Sequence, residues 1–195
     1  MDDRGMLALA SLFRGRELHV VRFNFPYSEK KSRRPDAMPV LEDCIAAVAA
    51  RVGSDVPTGD LILGGRSMGG RAASMLIAGG LACDGLLLLA YPLHPAGKPE
   101  RLRDAHLAKI AVPTLCLSGT RDNLCRRDLM DAVVARLPGN FRMHWIEDAD
   151  HGFHVRKSSG RTDDDVLAEI GDATQRWLNT SVATRRANGP GASAS

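Results

Sequence analysis

The sequence is poor in the features that mark membrane, metal or nucleic-acid proteins. A bilayer-spanning helix needs roughly 20 apolar residues, and the longest apolar run, Leu86–Ala90, falls far short of that. The N-terminus opens with Asp2 and Asp3, and its apolar piece Leu7–Phe13 is short and interrupted by Ser11. That pattern does not suit a secretory leader. Aromatic residues are only 5% of the chain, and none is interleaved with the small basic groups at 30–34 and 101–103. Bases would find no stacking platform there, so nucleic acid is not an expected partner. The 26 basic and 23 acidic side chains nearly cancel, to a net charge of +3. Only four cysteines occur, Cys44, Cys83, Cys116 and Cys125, with no CxxC pair. Cys44 lies on an apolar helix face and Cys116 in an apolar strand, where cysteine acts as a small hydrophobe. A reduced, cytoplasmic protein without membrane attachment is expected. His19, His106, His144 and His154 share no ligand spacing, so no metal is expected. A GxGxxG turn and a phosphate-binding lysine loop are both missing; dinucleotides and nucleoside triphosphates are therefore not expected as cofactors.

What is there suits one α/β domain. At 195 residues and 44% hydrophobic content, the chain can bury a substantial core. The pattern predicts a single domain over 1–179 and a disordered Gly/Ala/Ser/Pro-rich tail over 180–195. Residues 6–14 read as a helix end and 18–23 as a strand. A Pro- and charge-rich loop over 24–38 follows, then a helix opened by Pro39 and running to Val52. Strands are expected at 61–64, 85–90, 113–117 and 141–146, and helices at 67–78, 127–137 and 163–178. Apolar strands alternating with helices predict a parallel sheet covered on both faces.

Chemistry concentrates where strands end. Gly65-Arg66-Ser67-Met68-Gly69 follows the apolar run Leu61–Gly64 and precedes a helix. Strand, glycine-flanked serine and helix are the sequence form of a nucleophile elbow. The turn is tight, which predicts small residues two positions to either side of the serine. It presents the hydroxyl beside a helix N-terminus, whose free amides favour developing negative charge. Asp122 follows the strand at 113–117, and His151 follows the strand at 141–146. A serine nucleophile needs an imidazole to take its proton and a carboxylate to orient that imidazole. The order Ser67, Asp122, His151 at three successive strand ends matches that need. Asp122 is also suited to a turn or helix cap, and Asp148 and Asp150 are rival acids poorly placed by their adjacency to His151. His94 follows a strand end and is suited either to the pocket or to a structural loop. Arg66 and Arg71 flank the elbow, positioned to attract an anionic substrate or to pair with local carboxylates.

These segments resemble a small α/β-hydrolase-like family. Its members include a testis-expressed protein, a subunit of the nonspecific-lethal histone acetyltransferase complex and many bacterial hydrolases akin to dienelactone hydrolases. The resemblance rests on residues 20–27, on 64–71 around Ser67, on Tyr91-Pro92-Leu93-His94-Pro95, on Gly119-Thr120-Arg121-Asp122 and on Asp150-His151. It implies an α/β-hydrolase fold, a mostly parallel sheet with helices on both faces. The ordered Ser67, Asp122 and His151 set at three strand ends leads to the expectation of a serine hydrolase acting on an ester, thioester or related acyl bond of a small molecule. Ser67 would be nucleophile, Asp122 acid, His151 base and Met68 N–H an oxyanion donor, with Asn24, Arg66, Tyr91 and His94 near the substrate. Family members carry an earlier strand ending in a His-Gly-Ala-Gly-like loop, with the second oxyanion amide. Nothing of that kind precedes Met1, so an N-terminally short chain lacking the first strands is expected. The alternative is a non-catalytic hydrolase-like scaffold or an inactive fragment.

Overall fold

The computed structural model describes residues 4–32, 34–56 and 59–183. Four strands, β1 (Ile62–Arg66), β2 (Gly85–Leu89), β3 (Thr114–Gly119) and β4 (Phe141–Ile146), form one sheet in the order β1-β2-β3-β4. Every pairing is parallel, with Leu63 opposite Leu86, Leu88 opposite Cys116 and Ser118 opposite Trp145. Among the described residues six α-helices accompany them: α1 (Arg4–Arg14), α2 (Pro26–Glu29), α3 (Met38–Asp55), α4 (Met68–Ala78), α5 (Arg127–Val134) and α6 (Asp163–Trp177).

The sheet is buried because its central strands are apolar on both sides. β2 is buried along its whole length, and strand alternation sends its leucines to opposite layers. Leu86 and Leu88 join Leu41 and Ile45 of α3 and Ala72, Ala73 and Ile77 of α4. Leu87 and Leu89 join Leu9 and Phe13 of α1 and Val166, Ile170 and Trp177 of α6. The spacing of Leu41, Ile45 and Ala49, and of Val166, Ile170, Ala173 and Trp177, keeps each buried set on one helical face. Fully burying one such side chain contributes about 1.5–3 kcal/mol. α6 opens on a capping box in which Thr162 and Asp165 satisfy each other's backbone amides.

Several expectations are corrected. Residues 18–23 form no strand. A ladder needs a neighbour about 4.8 Å away, and among the described residues this segment pairs with none. Leu18, Val20 and Arg22 are half-buried and Val21 and Phe23 exposed. The loop expected over 24–38 contains α2, opened by Pro26. α5 stops at Val134, short of the expected 137. β4 is not apolar throughout: as an edge strand it exposes Arg142 and half-buries His144. Residues 178–182 continue α6 as a π-helical turn that buries Val182. The rest of the expected tail, 184–195, lies outside the described residues.

Candidate active site

The elbow turns where β1 meets α4. Ser67 has φ 52° and ψ −117°, a conformation that costs a non-glycine residue roughly 1–3 kcal/mol. Its amide donates to the Leu89 carbonyl (2.8 Å) and its carbonyl accepts from Arg71 N (3.0 Å). The turn is held by glycine, at one of the two positions the motif suggests, Gly65, and at one it does not, Gly70. A Cβ on Gly65 would lie 2.6 Å from the Gly69 carbonyl carbon and the Gly70 nitrogen, and one on Gly70 would lie 2.6 Å from the Gly65 oxygen. At Gly69 an added Cβ would meet only the Phe25 ring, at 3.7 Å. The close crossing is thus Gly65 on Gly70, and Gly69 is not sterically required.

The structure brings Ser67, His151 and Asp122 together. His151 Nδ1 lies 2.8 Å from Asp122 Oδ2, and His151 Nε2 lies 3.0 Å from Ser67 Oγ. An ionised carboxylate only accepts, so Nδ1 carries the proton and Nε2 is left to accept from the serine hydroxyl. The Asp122 side chain is 0% exposed and that of His151 is 28% exposed. The acid is shielded and the imidazole is open to the site. Asp122 also accepts from Leu124 N (2.8 Å) through its other oxygen, so the turn role and the contact to His151 coexist in one carboxylate.

Two loops hold this geometry. Arg121 N donates to Ala149 O (2.9 Å), Asp148 N to Thr120 Oγ1 (2.9 Å) and Arg121 Nη1 to Asp148 O (2.8 Å). Asp148, a rival acid in sequence, is taken up by ion pairs with Arg121 and Arg156. Asp150, the other rival, accepts from Gly152 N (2.8 Å) and His154 N (3.0 Å), closing the loop on which His151 sits. Phe153, at φ 66°, is buried beneath that loop.

The remaining expected residues divide. Met68 opens α4, and the first amides of a helix have no partner within it. Arg66 ends β1, directly before the serine, and is half-buried. Asn24 is committed elsewhere, donating to Glu29 Oε1 (2.5 Å). Tyr91 is fully buried, and its hydroxyl donates to Arg103 O (2.5 Å). His94 is 2% exposed. Its Nδ1 meets Pro95 O (3.0 Å) and its Nε2 accepts from Arg126 N (3.2 Å), the residue that caps α5. Both ring nitrogens are used by backbone, which makes His94 a brace for α5 and not a lining residue.

A second serine–histidine contact was not legible in the sequence. Ser74 Oγ lies 2.8 Å from His106 Nε2. It is fully buried in α4 and donates its one hydroxyl proton to Arg71 O (2.7 Å). His106 must therefore donate to Ser74, the reverse of what a general base does. Burial, reinforced by Arg71 and opposed by Asp104, holds the His106 pKa below its usual value. Burial likewise raises the thiol pKa of Cys116 well above the usual range and pushes that of Cys125 up to about 12, leaving both protonated and unreactive. Among the described residues no group of three His, Cys, Asp or Glu is arranged to hold a metal ion, and no helix is long and apolar enough to cross a membrane.

A parallel sheet between helical layers, with a serine on a strained strand-to-helix turn, defines the α/β-hydrolase class. The family described as "Alpha/beta hydrolase domain" matches residues 1–179, and the chain belongs to it. Among solved structures the chain is similar to an α/β serine hydrolase homologue from Coxiella burnetii, at 21% identity and TM-score 0.70, covering 91% of this chain and 77% of that one. It is similar to a lidless serine hydrolase from Xanthomonas campestris, at 23% identity and TM-score 0.69, covering 93% and 77%. It is also similar to a dienelactone hydrolase from Anabaena variabilis, at 16% identity and TM-score 0.69, covering 93% and 81%. At these identities the likeness shows the fold alone.

Proposed function

We propose that the protein is a serine hydrolase that cleaves an ester, thioester or related acyl bond of a small molecule, without a cofactor. The observation that carries this reading is the single imidazole of His151, in hydrogen-bond reach of both Ser67 Oγ and Asp122 Oδ2. In the reaction His151 Nε2 takes the Ser67 proton as Oγ attacks the carbonyl carbon. Asp122 holds the imidazole by Nδ1–H and stabilises the cation that forms. The Met68 amide faces the developing oxyanion, where one such donor is worth about 10²–10³ in rate. His151 then protonates the leaving group, and water, activated by the same imidazole, releases the acyl group. Within the family, the motifs around Ser67 and Tyr91 favour the branch with the testis-expressed and nonspecific-lethal-complex proteins and their dienelactone-hydrolase-like bacterial members.

The test is labelling by a fluorophosphonate probe, alongside hydrolysis of 4-nitrophenyl butyrate. The wild-type protein is expected to label at Ser67 and to turn over the ester, and the Ser67→Ala variant to do neither. A folded wild-type protein that neither labels nor turns over ester would overturn the hydrolase reading and return the non-catalytic scaffold.

A further inference from the structure

The elbow helix carries a charge that the proposed triad does not use. Ser67, Arg71 and Ser74 follow one another at four- and three-residue spacing on α4, so they share one face, with Arg71 one turn from the nucleophile. Across from that face lies the segment after β2. Tyr91 reaches Arg103 O with its hydroxyl, Arg103 N donates to Leu93 O (2.8 Å), and His106 meets Ser74. The last of these contacts sets His106 against α4, and the others hold Arg103 beside the segment that follows β2, the strand whose Leu89 carbonyl accepts from Ser67 N. Burial, and after it the positive charge of Arg71, disfavours the charged form of Arg103, and Arg71 acts on Tyr91 and His106 as well.

No carboxylate among the described residues is paired with the guanidiniums of this cluster. Among the described residues the buried Arg71 Nε has no hydrogen-bond partner, and the Arg103 side chain makes a long contact from Nη1 to Pro92 O (3.4 Å). Asp104, the nearest acid in sequence, is paired with Arg136, just beyond the end of α5. Among the described residues neither Arg71 nor Arg103 has a carboxylate counter-ion. Two partly buried, unneutralised guanidiniums cost electrostatic energy. An oxyanion between them would relieve that cost, and guanidinium forks suit carboxylate or phosphate bidentately.

We propose that Arg71 and Arg103 form an anion subsite beside Ser67, so that the preferred substrate is an acyl compound bearing a carboxylate or phosphate. This rests on the hydrolase reading above.

The test compares mono-4-nitrophenyl esters of six- to eight-carbon diacids with their methyl diesters, which differ only in the far charge. A matching 5-phosphonopentanoate ester separates carboxylate from phosphate. The wild-type kcat/KM is expected to favour an anionic ester at least tenfold. Arg71→Gln and Arg103→Gln should each reduce that ratio tenfold or more, and Arg71→Lys, which keeps the charge but loses the fork, should reduce it less. Lys98→Gln, an exposed charge on the same segment, should leave the ratio within twofold, separating a built site from general steering. Equal kcat/KM for charged and methylated esters at every length would overturn the subsite.

Binding reads the same site without chemistry. Monomethyl adipate and inorganic phosphate should each be titrated calorimetrically into the Ser67→Ala protein. Saturable binding of at least one, weakened tenfold by Arg71→Gln, is the expected result; no saturable binding of either overturns the subsite even if ester hydrolysis is found. Binding without any hydrolysis by the wild-type protein would overturn the hydrolase reading and leave the anion site standing.

Discussion

At the scale of single residues, the site trades stability for geometry. Ser67 is held at positive φ with a ψ that only glycine adopts freely. Replacing it with glycine relieves about 1–3 kcal/mol of strain and returns about 0.5–1 kcal/mol through the freer unfolded chain. Ser67→Gly is therefore expected to raise the thermal midpoint while abolishing fluorophosphonate labelling; a lower midpoint would contradict the strain. Gly65 and Gly70 cross within van der Waals distance, so Gly70→Ala is expected to destabilise by several kcal/mol or prevent folding. Gly69→Ala, which meets only Phe25, should stay within about 1 kcal/mol of wild type in urea unfolding. Asp122→Asn keeps the shape but hands His151 the wrong tautomer. A fall in kcat on the order of 10⁴ is expected with KM little changed, measured on the 4-nitrophenyl ester.

At the scale of elements, the histidine loop is tied to the start of α6. His154 Nδ1 lies 2.6 Å from Asp163 Oδ2. This contact raises the pKa of His154 and lowers that of Asp163. The histidine's contribution is present below its unfolded pKa and lost as pH rises through its higher folded value. The carboxylate's contribution is present above its unfolded pKa and lost as pH falls through its lower folded value. The pair therefore stabilises most between roughly pH 4 and 6.5, the two unfolded values. Both side chains are largely exposed, at 70% and 52%, so solvent screening keeps the effect below about 1 kcal/mol. His154→Ala should lower the unfolding midpoint slightly at pH 5.5 and not at pH 9, read by thermal scans at the two values. An equal loss at both would assign the effect to packing.

For the whole molecule, the sheet separates two cores. Leu88 packs with α3 and α4, and Leu117 packs with α1 and α6. Each leucine-to-alanine change is expected to cost about 2–5 kcal/mol. Because the two side chains fall in separate clusters on opposite faces of the sheet, the double variant should lose the sum to within about 0.5 kcal/mol. A larger departure, measured by urea unfolding, would mean the two layers are coupled through the strands.

The elements came through in the sequence wherever periodicity was strong and burial was local. The runs at 62–66, 85–89 and 114–119, and the buried stripes of α3 and α6, need only their own side chains to declare strand or helix. Ser67 was legible because strand, glycine and helix are contiguous around it, and Asp122 and His151 because parallel βα units bring strand ends together. Tertiary structure decided the rest. The segment 18–23 has a strand's alternation, but a ladder depends on a neighbour that no local pattern reports. His94 and Tyr91 follow a strand end as pocket residues would, yet their polar atoms are spent on Arg126 N and Arg103 O. Gly69 matches the motif, but the steric demand falls on Gly70, because only the three-dimensional crossing shows which backbone atoms touch. The sequence by itself determined the layered α/β architecture and the place of Ser67 on its strand-to-helix turn, since both follow from local pattern. The orientation of His151 between Ser67 and Asp122, and the gathering of Arg71 and Arg103 without a counter-ion, depend on contacts between distant segments that only folding makes.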